Sequence, residues 1–248
     1  MDLTVLGAGP AYTDRPGATG AAYLLRAVGE TLLLDLGQGS FPALASRLEP
    51  STLAGVLVSH LHPDHFIDLV PLRHYLRYEF SPPRRVRVLA PAGLADRIDA
   101  LHAEPGFTAA ALDVEALSAG AMSIGPFDIE AGLVTHTEES YAFRVTASGG
   151  GPGLVYSGDC GRAADLLPLV RPGDTLLTEI SFGAGPVPPG ALHLDGPAVG
   201  GLADEARAGR VLLTHIQMGF DPEAAIASVR ERFAGPVDLV VPGLLSEV

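Results

Sequence analysis

Ser59-His60-Leu61-His62-Pro63-Asp64-His65 packs four nitrogen and oxygen donors into six residues. The apolar run Val56-Leu57-Val58 precedes it and predicts a strand over Gly55–Ser59. An i, i+2 pair leaving a strand can turn both imidazoles to one side. Asp64 and His65 would open the helix that follows, with Asp64 also placed to cap it. Four donors are too many for one tetrahedral site that must still admit water. They suit two neighbouring sites, each completed by ligands from elsewhere in the chain.

Such ligands are available. His136 follows Gly132-Leu133-Val134-Thr135, Asp159 follows Leu154-Val155-Tyr156-Ser157-Gly158, and His215 follows Val211-Leu212-Leu213-Thr214. Each stands where an apolar strand runs out, and loops at the ends of a rigid sheet are where chemistry is usually mounted. A surface loop that happens to be histidine-rich would not explain three further donors in equivalent positions.

Around these motifs the patterning is regular. Strands are predicted at Leu3–Leu6, Ala21–Ala27, Thr31–Asp35 and Gly55–Ser59, with a tight turn at Gly29-Glu30. A helix is predicted from Asp64 to Tyr78, interrupted at Pro71. A short strand at Val86–Leu89 and a helix ending near His102 come next. Strands dominate from Leu112 to Tyr156, with Gly149-Gly150-Gly151-Pro152-Gly153 as a hairpin turn. The last third alternates: helix Arg162–Val170, strand Thr175–Thr178, helix Pro197–Ala208, strand Val211–Thr214, helix Pro222–Phe233 and strand Val237–Val241. Strands followed by strand–helix alternation imply sheets covered by helices. With no repeat, long linker or low-complexity tail, residues 1–248 are expected to form a single domain.

Composition narrows the function. Of 248 residues 47% are hydrophobic, and 29 acidic side chains face 16 basic ones, all of them Arg, for a formal charge of −13. That balance disfavours long nucleic acids and anionic membranes; Arg84-Arg85-Val86-Arg87 reads as a solvated strand entry. No apolar run reaches the roughly 20 residues of a membrane span, and the N-terminus carries no secretory pattern. Cys160 is the only cysteine, so no disulfide forms within the chain and the default expectation is cytoplasmic.

His60-Leu61-His62-Pro63-Asp64-His65 resembles the His-x-His-x-Asp-His signature of the metallo-β-lactamase superfamily. His136, Ser157-Gly158-Asp159 and Leu213-Thr214-His215 are similar to its later motifs in order. Leu6-Gly7-Ala8-Gly9 and Asp35-Leu36-Gly37-Gln38-Gly39 look like its opening strands, so the resemblance covers essentially the whole chain. It implies an α/β fold, an αββα sandwich of two mixed β-sheets flanked by helices, with a dinuclear centre at one edge. It implies His60, His62 and His136 on a first metal ion, Asp64, His65 and His215 on a second, and Asp159 between them. Zinc is the expected ion for imidazole and carboxylate donors, with manganese or iron as alternatives. A hydroxide bridging the pair would be the nucleophile, with Asp64 orienting it or taking its proton.

Within that superfamily the chain looks most like the branch of ribonuclease Z and related phosphodiesterases. Leu192-His193-Leu194 stands where that branch carries a catalytic histidine, and Thr178-Glu179-Ile180-Ser181-Phe182 resembles the strand end whose glutamate orients it. The resemblance therefore casts His193 as the group that stabilises the phosphate or protonates the leaving oxygen, held by Glu179. One departure matters. Only 22 residues lie between His136 and Asp159, enough for a hairpin but not for the arm with which ribonuclease Z grips tRNA. A small molecule or short phosphodiester, such as a cyclic phosphate, is the expected substrate, and a homodimer is possible on composition.

Two other classes remain at this stage. The same centre could attack the carbonyl of a lactone, thioester or amide, or the chain could bind metal without catalysis. A thioesterase like glyoxalase II is disfavoured because no separate helical domain follows His215, and an oxygen-reducing diiron protein because His62 replaces a glutamate. Gly7-Ala8-Gly9 is a turn, since Tyr12 breaks the dinucleotide fingerprint. Asp35 is expected to order the loops, Cys160 to be a small buried side chain, and His74 and His102 to be ordinary helix residues.

Overall fold

The structure is a computed structural model and describes residues 1–248. In the first of two seven-stranded sheets, β1 (Asp2–Gly7), β2 (Ala22–Ala27) and β3 (Glu30–Leu34) run antiparallel. The chain then passes through helix α1 (Phe41–Ala45) and a 3₁₀ turn to β4 (Gly55–Leu57), parallel to β3. Helices α2 (Pro63–Phe66) and α3 (Leu69–Tyr78) lead to β5 (Val86–Ala90), and α4 (Leu94–His102) leads to β6 (Leu112–Ala116), both parallel additions.

The second sheet repeats that plan. β7 (Gly120–Ile124), β8 (Phe127–Leu133), β9 (Tyr141–Ala147) and β10 (Leu154–Tyr156) are antiparallel. β11 (Thr175–Glu179), β12 (Arg210–Thr214) and β13 (Val237–Leu239) then add in parallel, with α5 (Gly196–Glu205) and α6 (Pro222–Arg230) in the crossovers. β14 (Leu245–Glu247) returns to pair with β1. Parallel strands need crossovers, and the crossover helices cover the outer face of each sheet. The β3 run shows the result: Leu32 and Leu34 enter the core between the sheets, and Leu33 enters the core under α1–α4. A third core lies between the second sheet and α5 and α6. This is the expected αββα sandwich, and no helix is long and apolar enough to cross a membrane.

Local differences have physical causes. The β2–β3 turn is Val28-Gly29, one residue earlier than predicted, with φ of 51° and 84° at its two central residues, the primed geometry that matches strand twist. The helix after the histidine motif breaks at Ile67-Asp68 and not at Pro71. Pro71 falls in the first turn of α3, where its missing N–H has no intrahelical partner to lose. Asp68 N donates instead to Leu36 O at 3.0 Å, and its carboxylate accepts from Phe41 N at 2.8 Å. The helix predicted over Arg162–Val170 is only a 3₁₀ turn, Ala163–Asp165. Pro168 cannot donate along a helix, and Asp165 is drawn off to cap Thr135 N at 2.8 Å. α1 and β14 were not predicted. Both are short, and β14 alternates too few residues to show a period.

All the motif loops emerge at one edge. β3 and β4 are parallel, β8 runs with β10, and β10, β11 and β12 are parallel. Their C-terminal ends therefore deliver Asp35, the 59–65 motif, His136, Asp159, Glu179 and His215 to the same crevice.

Candidate metal centre

The carboxylate of Asp159 presents its two oxygens to two different groups of donors. Oδ2 lies 3.8 Å from His60 Nε2 and 3.6 Å from His136 Nε2. Oδ1 lies 3.4 Å from His65 Nε2 and 3.5 Å from His215 Nε2. His62 joins the first group through Nδ1, which is 3.2 Å from His136 Nε2. Asp64 joins the second, with Oδ2 3.2 Å from His215 Nε2 and 3.6 Å from His65 Nε2. Within each group the ligand atoms all lie within 4.8 Å of one another. Asp64 is therefore not a helix cap: the α2 cap position is His62, no side chain caps it, and the Asp64 carboxylate faces the imidazoles.

Each inward nitrogen is set by what the other side of its ring touches. His65 Nδ1–H donates to Asp35 Oδ2 at 2.7 Å. Ser59 Oγ donates to the same oxygen at 2.8 Å and stands 3.1 Å from His60 Nδ1, whose N–H it accepts. Ser181 Oγ repeats this arrangement in the second sheet, accepting from His215 Nδ1 at 3.1 Å and donating to Glu179 Oε2. His136 Nδ1 donates to Leu192 O at 2.8 Å. Four rings thus have their outer nitrogen committed to a hydrogen bond and their Nε2 turned inward, which is how protein-bound metals are usually approached.

The backbone is shaped to the same end. Asp35 and His215 hold φ of +55° and +57°, values that side chains adopt only when their surroundings fix them. Gly37 is required: a Cβ there would sit 1.8 Å from the Asp64 carbonyl oxygen. Gly158, at φ +54°, turns the chain from β10 into Asp159 in the space left by Ser59 and Tyr141.

The residues fit a cation centre. His60 Nε2, His65 Nε2 and Asp159 Oδ1 are buried and have no hydrogen-bond partner, although an unsatisfied buried polar atom costs about 1–3 kcal/mol. Their convergence on Asp159 makes the deficit a single feature that positive ions would relieve. Electrostatics agree. Burial alone would raise Asp159, yet His215, His65 and His60 hold its carboxyl well below the usual range. Burial works against charge on His65, but Asp159 and Asp35 outweigh it and raise that imidazole well above its ordinary value. His215 is raised by Asp159 and Asp64 against the same burial, whereas His60 and His62 are lowered, first by burial and then by neighbouring imidazoles.

A family model described as "Beta-lactamase superfamily domain" matches residues 32–216, a span that holds every one of these donors. The chain belongs to the metallo-β-lactamase superfamily. Among its superfamily relatives, the uncharacterized protein ML1173 of Mycobacterium leprae is 35% identical over 97% of this chain and 86% of its own. The metallo-beta-lactamase fold protein YhfI of Bacillus subtilis superposes with a TM-score of 0.87 over 99% of this chain and 98% of its own, at 23% identity. Human tRNase Z, short form, superposes with a TM-score of 0.74 at 22% identity, covering 100% of this chain and 99% of its own. Its sequence, named zinc phosphodiesterase ELAC protein 1, is 33% identical over 40% of this chain and 28% of its own. The YhfI sequence carries the name probable metallo-hydrolase and is 26% identical over 100% of this chain and of its own, which supports a metallo-hydrolase here.

The other predicted residues are placed as follows. His193 Nδ1 donates to Glu179 Oε1 at 3.0 Å, and its ring lies 4.8 Å from that of His136. Glu179 is fully buried and also accepts from Cys160 N and Ser181 N. Burial opposes charge on His193, but the Glu179 hydrogen bond and carboxylate, with Asp159, raise its pKa. Asp35 accepts from Ser59 N, Ser59 Oγ, His65 and Tyr156, an ordering role. Cys160 is a buried thiol whose pKa burial pushes up to about 12. His74 and His102 lie apart from the centre, His102 stacked on Phe107. Arg85 and Arg87 pair with Asp113 and Glu115 at the surface. Ser59, Ser181 and Tyr156 were not singled out from sequence. The signal for Tyr156 was a tyrosine inside the apolar strand Leu154–Tyr156, where a buried hydroxyl needs a partner.

Proposed function

We propose that this metallo-hydrolase cleaves a phosphodiester or cyclic phosphate with two divalent cations, zinc in the first instance. His60, His62 and His136 would hold one, Asp64, His65 and His215 the other, and Asp159 would reach both through its separate oxygens. Such a pair supplies, when bound, water activated near neutral pH and positive charge beside the substrate oxygens.

The remaining work falls to protein side chains. Asp64, whose carboxyl burial would raise but the His215 hydrogen bond and His65 hold low, stays ionised and takes a proton from attacking water. His193 carries the complementary proton. With Nδ1 committed to Glu179, its Nε2–H is the group free to donate to the leaving oxygen, and the raised pKa favours the protonated form. Glu179 is a positioning residue: it aims the imidazole and maintains its charge.

The observation that carries the phosphodiester reading is this Glu179–His193 pair beside the donors. Held there, the imidazolium is placed to protonate a departing phosphodiester oxygen. The partial sequence match to a human zinc phosphodiesterase supports the same choice. The charge of −13 and the plain β9–β10 hairpin favour short substrates over long nucleic acids.

The test is a panel of bis(4-nitrophenyl) phosphate, a cyclic nucleotide, a lactone and a β-lactam on the zinc- and manganese-loaded protein. Turnover of the phosphate esters supports the reading. Turnover confined to the carbonyl substrates refutes it, and binding of cations without any turnover assigns a non-catalytic role.

A further inference from the structure

The loop that follows β1, residues 8–20, lies against the second donor group. Ala8 O accepts from His215 N at 3.0 Å, and next to the loop's far end Ala21 N donates to Asp64 O at 3.0 Å. Gln38 Nε2 donates to Pro10 O and Ala11 O at 3.2 and 3.4 Å. Packing does little to hold the middle of this loop, because a cavity of about 330 Å³ opens between Pro10, Thr13 and Pro16 on one side and Ile216, Val240 and Pro242 on the other.

Arg15 spans that gap. Its Nη1 donates to Ile216 O at 2.8 Å, and Nη2 donates to Gln217 O at 3.4 Å and Phe220 O at 3.1 Å. Arg15 forms no ion pair, so its donors serve the backbone. The three carbonyls belong to the turn immediately after His215, the residue held at φ +57°. Converging carbonyl dipoles are eased by a cation placed among them, and the planar, rigid fork of a guanidinium meets several at once.

We propose that Arg15 is a positioning residue for the second donor group, Asp64, His65 and His215. By clamping 216–220 to the loop that also borders Asp64, it fixes the backbone on which His215 depends. The first group hangs on different supports, Ser59 behind His60 and Leu192 O behind His136, so loss of Arg15 acts on one group only. The inference rests on the two-cation reading above.

The test uses the metal-free protein and its Arg15→Ala and Arg15→Lys variants, with zinc added stepwise in competition with a chelating dye. In Arg15→Ala one equivalent is expected to stay within about twofold and the other to weaken about 10- to 100-fold, the usual cost of losing support behind a ligand. Millimolar guanidinium, far below denaturing levels, should restore the weakened equivalent in Arg15→Ala and leave the unaltered protein unchanged. Arg15→Lys should fall between, and carries the same comparison if Arg15→Ala does not fold. Equal weakening of both equivalents, weakening of neither, or absence of guanidinium rescue overturns the inference. A single equivalent in the unaltered protein overturns the two-cation reading itself, whereas two equivalents there without selective loss in the variants overturn only the role of Arg15.

Discussion

Tyr156 donates its hydroxyl to Asp35 Oδ2 at 2.6 Å, tying the second sheet to the first directly behind the donor cluster. Asp35 follows β3, the neighbour of β4 with its 59–65 motif, and Tyr156 ends β10, whose loop carries Asp159, so this bond ties the two sheets together where their donors face one another. Burial pushes the Tyr156 hydroxyl well above its ordinary value, and it remains a donor throughout the working range. Tyr156→Phe removes one of four hydrogen bonds to a fully buried carboxylate. The expected cost is about 1.5–3 kcal/mol, as for hydrogen bonds to charged groups, seen as a lower urea midpoint with an unchanged slope.

His193→Ala separates substrates by leaving group. Nitrophenolate departs without help, so bis(4-nitrophenyl) phosphate should lose little turnover, while a cyclic or dialkyl phosphate should lose about 10²–10⁴-fold. Zinc content should not change. Glu179→Gln removes the carboxylate that raises the His193 pKa. The protonated form, present below that pKa and lost as pH rises through it, then disappears at lower pH, and the alkaline limb of the rate profile moves down. A limb that stays in place would deny Glu179 this role.

Proton release should differ between the two donor groups. In the metal-free protein the carboxylates around them raise His65 and His215 against burial, whereas burial and neighbouring imidazoles lower His60 and His62, so the second group holds the more protons. Cations compete with protons for these nitrogens, so filling the second group should release more protons and lose affinity sooner as pH falls. Calorimetry in two buffers of different ionisation enthalpy counts the protons for each equivalent. Equal release from both would contradict the charge distribution described here.

What could be read from the sequence follows a physical division. The converging donors were legible because imidazoles and carboxylates at the ends of apolar strands have few structural uses, and strand periodicity placed those ends. The capping role given to Asp64 fails because the α2 cap falls at His62, whereas its place beside His65 and His215 followed from the family resemblance. Pro71 was read as a break because proline is normally costly in helices, but its cost depends on position. Ser59, Ser181 and Arg15 were illegible, and Tyr156 signalled only that a buried hydroxyl would need some partner. Each acts through a partner supplied by another strand or loop, and single serines, tyrosines or arginines carry no periodic signal.

Gly37→Ala tests how closely the first sheet cradles Asp64. The added Cβ would stand 1.8 Å from the Asp64 carbonyl oxygen, a backbone atom that cannot swing aside. Forced backbone movement of this kind costs about 1–3 kcal/mol or more. The expected outcome is lowered stability together with weaker binding of one metal equivalent. Unchanged thermal unfolding and metal binding would show that the 36–38 turn relaxes freely.

The central claim is that Asp159 stands between two cations. Crystals of the zinc-loaded protein, measured by anomalous scattering at the zinc edge, test it most directly. Two peaks are expected to flank the Asp159 carboxylate, one among His60, His62 and His136 and the other among Asp64, His65 and His215. A single peak, or peaks away from Asp159, would contradict it.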